Sequence, residues 1–412
     1  MKQLILGLGV IALLAQACSS TKQLPYDPLQ VYPVRVDSVY GFINRSGDMI
    51  VKPQFDSLAW YNAYPIGVRK DGLWGYIGKH GDTLFEPQWQ QVSRFVNGRA
   101  WFQFSVAHGL ITEDGRKLLD AFYHFPADFH QGLCLNVQGA AGECVIMDRH
   151  GNVRNSDFCF HDHNDGIGLY QARGRFGYAT LDDRIIIESK YARADIFSEG
   201  VAPAALDSTL YGYIDTSENW VIPPRFKIAT PFRDSMARVL SLTGEWGLID
   251  HTGKFLTPPR YTKMDEFRDG LAKVSMILQG REMWGLIDTA GRVVVEPQYI
   301  HIGAFSEGLA PFSHLAKQGF LNTSGEVVIE PRFQGASNFS EGLAVVSSGR
   351  KKGYIGMTGK VVIPIELDDA GTFFNGLAMV TEGGTIHEYF SRKPGVKLKY
   401  IDRKEKVIWE SK

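Results

Sequence analysis

The sequence predicts an all-β fold: a tandem repeat array of about ten three-stranded antiparallel β-meander units, stacked face to face in an open superhelix, with a closed β-propeller-like arrangement as the alternative. Three observations carry this. A glycine next to an aromatic or apolar residue returns at Gly41, Gly75, Gly109, Gly177, Gly212, Gly247, Gly285, Gly319 and Gly353, at steps of 32–38 residues once Val145 is placed in the empty slot after Gly109. Each period contains β-branched runs such as Val293-Val294-Val295, Val327-Val328-Ile329 and Val361-Val362-Ile363, which suit a pleated surface and disfavour a helix. Prolines at or just after their ends, Pro297, Pro331 and Pro364, leave no room for helices of useful length.

The chain opens with Met1-Lys2-Gln3, an apolar run from Leu4 to Leu14, and the small-residue stretch Ala15-Gln16-Ala17-Cys18. That order is a secretory signal over residues 1–17, too short to span a bilayer that needs roughly 20 apolar residues. The cysteine after the small residues resembles a bacterial lipobox, with Leu14 one place early and Ala15 in the usual Leu position. Lipidation at Cys18 is therefore expected, an ordinary secretion signal with an incidental cysteine being the alternative. Residues 18–30, polar and punctuated by Pro25 and Pro28, form an extended tether, and the folded part begins at residue 31 and runs to 412.

Within a unit, Asp/Asn-x-x-Gly recurs at Asn44–Gly47, Asp250–Gly253, Asp288–Gly291 and Asn322–Gly325, a spacing that fits a type I turn closed by a left-handed glycine. A third strand follows Glu-Gly, as in Leu309-Ala310-Pro311-Phe312. Tyr400-Ile401-Asp402 begins a worn extra unit. Both faces of Trp246-Gly247-Leu248-Ile249 are apolar, so each sheet must be covered on both sides, and a neighbouring sheet about 10 Å away is the available cover. The repeat glycine is expected to make room for a ring of the adjacent sheet, with Phe305, Phe339 and Phe373 as candidates.

Trp74-Gly75-Tyr76-Ile77, Trp246-Gly247-Leu248-Ile249-Asp250 and Trp284-Gly285-Leu286-Ile287-Asp288, with the later Phe-Ser-Glu-Gly-Leu-Ala stretches, resemble the WG-repeat (KWG-type) family of bacterial β-rich repeat proteins over about residues 40–409. The resemblance implies an extracytoplasmic scaffold that binds something, with no catalytic residues and no cofactor. The chain does not show the four-stranded blades and shared closing strand usual in propellers, which favours the open array.

Composition bounds the partners. Of 412 residues 44% are hydrophobic, ample for a core, and a formal charge of -1 supplies no basic field for nucleic acid. Five of the 11 histidines fall in one eroded region, where His161 and His163 in Cys-Phe-His-Asp-His sit at a spacing that places two ligands on one strand face. A solvated turn is the competing reading of this weak metal candidate. Carboxylates in Asp-x-x-Gly and Ser-Glu-Gly recur unit after unit and serve turns. With Cys18 lipidated, Cys134, Cys144 and Cys159 remain; a Cys134–Cys144 disulfide across a hairpin and two buried thiols are alternatives.

These features together point to a cell-envelope lipoprotein, anchored in the membrane by its N-terminal lipid, on the outer membrane facing periplasm or surface, with a non-catalytic scaffold that binds a protein or glycan. Trp60, Trp89, Trp101 and Trp220, away from the repeat position, are candidate contact residues. The alternatives are an envelope hydrolase or metal-dependent enzyme with a site in repeats three to five, and a structural spacer.

Overall fold

The computed structural model describes residues 27, 29–59, 63–123, 129–130, 132–138, 144–148, 150–391 and 393–411. They form eleven antiparallel sheets that follow one another along the chain as the blades of a β-propeller. Blade 1 has three strands, Tyr32–Val36, Val39–Ile43 and Met49–Phe55, and the other ten have four each. Blades 2 to 11 span 57–89, 91–123, 129–156, 160–191, 193–226, 228–261, 263–299, 301–333, 335–367 and 369–410. The open stack of three-stranded units is thus corrected on two points, strand count and closure, while the worn unit at Tyr400 belongs to the eleventh blade.

The strand count differs because the repeat in the sequence is not the unit of pairing. Leu309–His314, the third strand of the unit that starts at Trp284, pairs with Lys317–Asn322 of the next unit, so each period straddles two blades. The added strand is short. In blade 9 it is His301–Ile302, too brief to show any alternation, pairing with Ser313 and Phe312.

Successive blades meet through contacts that repeat along the chain and reappear at its ends. A Cβ at Gly253 in blade 7 would touch Ile222 of blade 6; at Gly325 in blade 9 it would touch Val294 and Val295 of blade 8. Gly47 in blade 1 meets the carbonyl of Ile408, in the last strand of blade 11, in the same way. Tyr400 donates its hydroxyl to the Pro33 carbonyl at 2.8 Å, and Tyr32 donates to the Asn375 carbonyl at 2.9 Å. Tyr32, Val34 and Ile43 of blade 1 share a buried cluster with Leu377, Leu398 and Tyr400 of blade 11.

Among the described residues closure uses no shared strand, and blade 1 has no short first strand. An insertion in blade 11 takes that place: a helix, Ile386–Phe390, capped by Thr385 and Glu388 in a capping box. Tyr389 donates its hydroxyl to the Arg35 carbonyl at 3.0 Å and accepts from the Arg35 guanidinium through its own carbonyl. Arg35 corresponds to Ser313 of blade 9, the residue that His301 pairs with, so the helix occupies the missing strand's position. A propeller can therefore close on side-chain packing alone, which the expectation of a shared strand overlooked.

The repeat glycine also has a different neighbour from the one expected. Trp284 pairs with Tyr299 and Leu286 with Val295, so two residues of one strand oppose four positions of the other and the last strand bulges over Gly285. A Cβ there would lie 2.3 Å from the Val295 carbonyl oxygen and 2.7 Å from the Pro297 nitrogen, backbone of the same blade. The rings pack one residue further on: Phe339 lies 4.8 Å from Phe320 and Phe373 4.9 Å from Tyr354, between centroids, and Phe305 packs in the cluster of Leu286. Blade 4 explains its own exception. There Cys144–Met147 pair with Val153–Ser156 without interruption, so no bulge overhangs Val145.

The same blade corrects the disulfide. Its register sets Cys134 opposite Met147 and Cys144 opposite Gln138, so Cys134 and Cys144 are not cross-strand partners. The structure joins Cys144 to Cys159 instead, with their Cα atoms 5.1 Å apart, and buries Cys134 outside that bridge.

Two outcomes follow. Gly285→Ala and Gly285→Val should each destabilise, the valine by roughly 1–3 kcal/mol or more through overpacking, read as a lowered denaturation midpoint with hydrogen-exchange protection lost first in blades 7 to 9. At the buried position 145 the order should reverse, with Val145→Gly less stable than Val145→Ala and both less stable than valine. Stability that rises with side-chain size at both positions would refute the bulge as the reason for glycine. Non-reducing peptide mapping of the purified protein should recover Cys144 linked to Cys159; a Cys134–Cys144 peptide would refute the register.

Candidate functional site

The antiparallel path divides the loops of every four-stranded blade between two rims. One rim carries the loop between the first and second strands and the Asp/Asn-x-x-Gly turn between the third and fourth; the opposite rim carries the hairpin between the second and third.

On the first rim most repeated polar residues hold the ring together. Asp288 accepts from the amides of Ala290 and Arg292 at 3.0 and 2.9 Å, and Gly291 takes φ +74°, as the turn spacing predicts. The Ser-Glu-Gly residues do more than turn the chain. Ser198, Ser306 and Ser340 each donate to the carbonyl of the Phe in the next blade, Phe232, Phe339 and Phe373, at 2.6–2.8 Å. Glu307 accepts from the amides of Glu341 and Gly342, and Glu341 from that of Gly376. Buried tyrosines link the blades beside them: Tyr178, Tyr213 and Tyr354 donate to the carbonyls of Asp195, Thr230 and Gly371, 17 residues on in each case.

Asp27 completes this rim at the seam. Its backbone exchanges hydrogen bonds with the Asn375 side chain, and its carboxylate meets His80 and Lys79 at 3.0 and 3.1 Å. The His80 contact first, and then Lys79, holds the Asp27 carboxyl down at about 2. The chain therefore enters the ring from this rim.

A cavity of about 240 Å³ opens on the same rim across blades 5 to 8. Arg233, like Arg268 of blade 8, stands where Ser198, Ser306 and Ser340 stand in other blades, and Asp195, like Asp265 of blade 8, stands where Gly303, Ser337 and Gly371 leave little side chain. Asp162 of blade 5 and Asp195 of blade 6 form one wall; Arg233, Asp234 and Arg238 of blade 7 with Glu266 of blade 8 form the other, and Ile196 and Met236 are buried between. Asp195 accepts from the Ile196 amide at 2.8 Å, and Asp162 from the His163 amide at 2.8 Å. Burial pushes the Asp195 carboxyl above its ordinary range, and nearby Asp162 adds to the rise. Arg238 donates to the Met264 carbonyl at 2.8 Å and reaches Glu266 at 3.4 Å, while Arg233 stands 3.9 Å from Glu266. Sequence reading passed over Asp195 and Arg233. Little in the repeat singles them out, because blade 8 carries Asp265 and Arg268 at the same two positions.

The structure separates the weak metal candidates. The strand is bulged between Phe160 and Asp162, so His161 is exposed beside Phe176 while His163 is buried, and the two do not share a face. No group of three or more His, Cys, Asp or Glu converges to hold a metal among the described residues. Trp74, Trp246 and Trp284 are half-buried; Lys263 and Lys273 lie 5.7 and 5.8 Å from the Trp284 ring. Of the tryptophans expected at a contact surface, Trp89 and Trp101 are core residues and Trp220 packs edge-on against Tyr191. Gly75, Gly247, Gly319 and Gly353 repeat the Gly285 arrangement, each against backbone of its own blade. Cys18 and Trp60 lie outside the described residues.

Comparison with solved structures finds distant likenesses. The computationally designed Ika8 protein matches at 10% identity over 81% of this chain and 98% of its own, with a TM-score of 0.31. PorZ, a surface component of the type-IX secretion system of Porphyromonas gingivalis, matches at 10% over 93% and 68%, with a TM-score of 0.25. The extracellular domain of the putative hybrid two component system BT3049 from B. thetaiotaomicron matches at 10% over 94% and 65%, with a TM-score of 0.26. Scores this low carry no conclusion about function. No curated protein matches significantly. The profile of the WG containing repeat, by contrast, matches seven segments, 40–74, 74–104, 211–240, 246–276, 284–314, 319–351 and 353–385, and passes over the region of blades 4 and 5 where the glycine spacing is most eroded. Those segments make up over half of the chain and contain the tryptophans, glycines and turns described above, so the chain belongs to the WG containing repeat family.

Proposed function

We propose that this protein is a non-catalytic scaffold of the bacterial cell envelope, lipid-anchored at Cys18, that holds a protein partner on the rim of hairpins between second and third strands. The observation that supports this reading is the recurrence of large apolar side chains at those tips: Phe104, Val106, Leu206, Leu242, Ile277 and Leu315, from 49% to 79% exposed. Single exposed apolar residues are ordinary, but here they fall at or beside the tip of the same hairpin in five blades, 3, 6, 7, 8 and 9. Five of the six are aliphatic. A sugar ring is held best on a flat aromatic face, and Trp89 and Trp101 are buried in the core, so a protein partner suits this rim better than a glycan. Asp27, the first described residue, lies on the opposite rim, a placement that supports an anchor on that side.

Two experiments test the reading. Cys18→Ser should move the protein from the membrane to the soluble fraction; unchanged partitioning with an unacylated N-terminus would refute the anchor. Leu242→Asp with Leu315→Asp should reduce capture of the partner from envelope extract at least about tenfold, with stability changed by no more than about 0.5 kcal/mol per site. Lys254→Glu on the opposite rim should leave capture intact. Capture that survives the tip substitutions, or that is competed away by free glycan, would overturn this docking surface.

A further inference from the structure

We propose that the cleft of about 400 Å³ between blades 10 and 11 receives the indole ring of a tryptophan carried by another polypeptide, in the space that the repeat tryptophan of blade 8 fills with its own ring. Lys352 holds the repeat-tryptophan position in blade 10: it pairs with Ser347 as Trp284 pairs with Ser275. The volume falls within the roughly 300–1,000 Å³ of small-ligand sites.

The walls of the cleft correspond to what surrounds Trp284. That ring packs on a cluster containing Ile302 of blade 9, and Lys263 and Lys273 lie 5.7 and 5.8 Å from it. In register, Gly335 and Val345 of blade 10 take the places of Lys263 and Lys273, and Ala370 of blade 11 takes that of Ile302. Each is smaller than its counterpart, so the space left by the missing ring is widened by its neighbours.

Lys352 leaves that space open. In blade 9, which also lacks the tryptophan, Gln318 reaches across to accept from the Ala336 amide of the next blade and donates to Ser313 at 3.2 Å. Lys352 instead pairs its ammonium with Asp369 of blade 11. The pair is neutral, and no other charged residue among the described residues lines the cleft, so an uncharged ring suits it better than an ionic ligand. The half-buried Ser347 hydroxyl supplies an acceptor for the indole N–H, and the exposed Thr372 hydroxyl can meet the backbone that carries the ring. Ser347 and Lys352 flank the hairpin between the second and third strands of blade 10, on the rim of apolar tips. The choice of a polypeptide as the source of the ring rests on that docking face; the ring site itself does not.

Fluorine NMR of the whole protein with the capped tripeptide acetyl-Gly-(5-fluoro-Trp)-Gly-amide tests this without interference from the protein's own tryptophans. Binding with a Kd below about 1 mM is expected, with the leucine analogue competing at least about tenfold less well and free indole at least about threefold less well. Lys352→Trp, which restores the ring, should weaken binding at least about tenfold more than Lys352→Met, which removes the charge without filling the cleft; Ala370→Ile, which restores the residue of blade 9, should also weaken it, each with an unchanged circular dichroism spectrum. The probe is read without any partner, so the outcome is separate from capture on the apolar tips. No binding of the tripeptide at millimolar concentration would overturn the proposal, as would equal competition by the leucine analogue or full binding to the Lys352→Trp variant. Equal competition by free indole would overturn the polypeptide as the source of the ring.

Discussion

Each blade is apolar on both faces, and everything else in the molecule depends on covering them. Val239 and Ile249 pack with Tyr213 and Phe226 of the blade before, and Leu248 and Tyr261 with Val274 and Ile287 of the blade after. A linear stack of such blades always ends in two uncovered faces, whereas a ring has none. At the seam eight residues are buried in one cluster drawn from blades 1 and 11. Full burial of a large apolar side chain contributes roughly 1.5–3 kcal/mol, so closing the seam is worth on the order of 10 kcal/mol before the entropy of ordering is deducted. That margin explains how the ring closes without an exchanged strand, provided something fills the missing strand in blade 1. The Ile386–Phe390 helix does so.

Local features were legible in the sequence because each has a local physical cause. Asp or Asn three residues before Gly specifies its turn, β-branched runs before proline specify strands, and the glycine period marks where a bulged strand crosses its neighbour. Pairing was less legible, since Leu309–His314 bonds forward into the next unit and the two-residue strands carry no alternation. Closure was not legible at all. The curvature is the sum of small rotations between blades, and the seam of blades 1 and 11 is completed by the Ile386–Phe390 helix, an insertion outside the repeat. Bulges caused the remaining errors: one between Phe160 and Asp162 parts His161 from His163, and the bulge above Gly285 mimics the space for a ring.

The departures from the repeat prove as informative as the repeat itself. Serine and glutamate on one rim tie each blade to the next, and where arginine replaces that serine in blade 7 the tie is replaced by one wall of a charged cavity. On the other rim the hairpins make few demands on the ring, which leaves their tips open to vary. A repeat of this kind divides labour between positions that hold the ring and positions that can change without breaking it.

The central claim is that the ring closes through blades 1 and 11, and a distance measurement across the seam tests it most directly. Ser46 and Val407 are exposed and flank the contact in which Gly47 meets Ile408, so spin labels on unnatural side chains at these two positions report the seam. A closed ring places them within about two sheet spacings, ~20 Å, with a narrow distribution. An open array of eleven blades stacked ~10 Å apart separates them by on the order of 100 Å, and a distance in that range would contradict the ring.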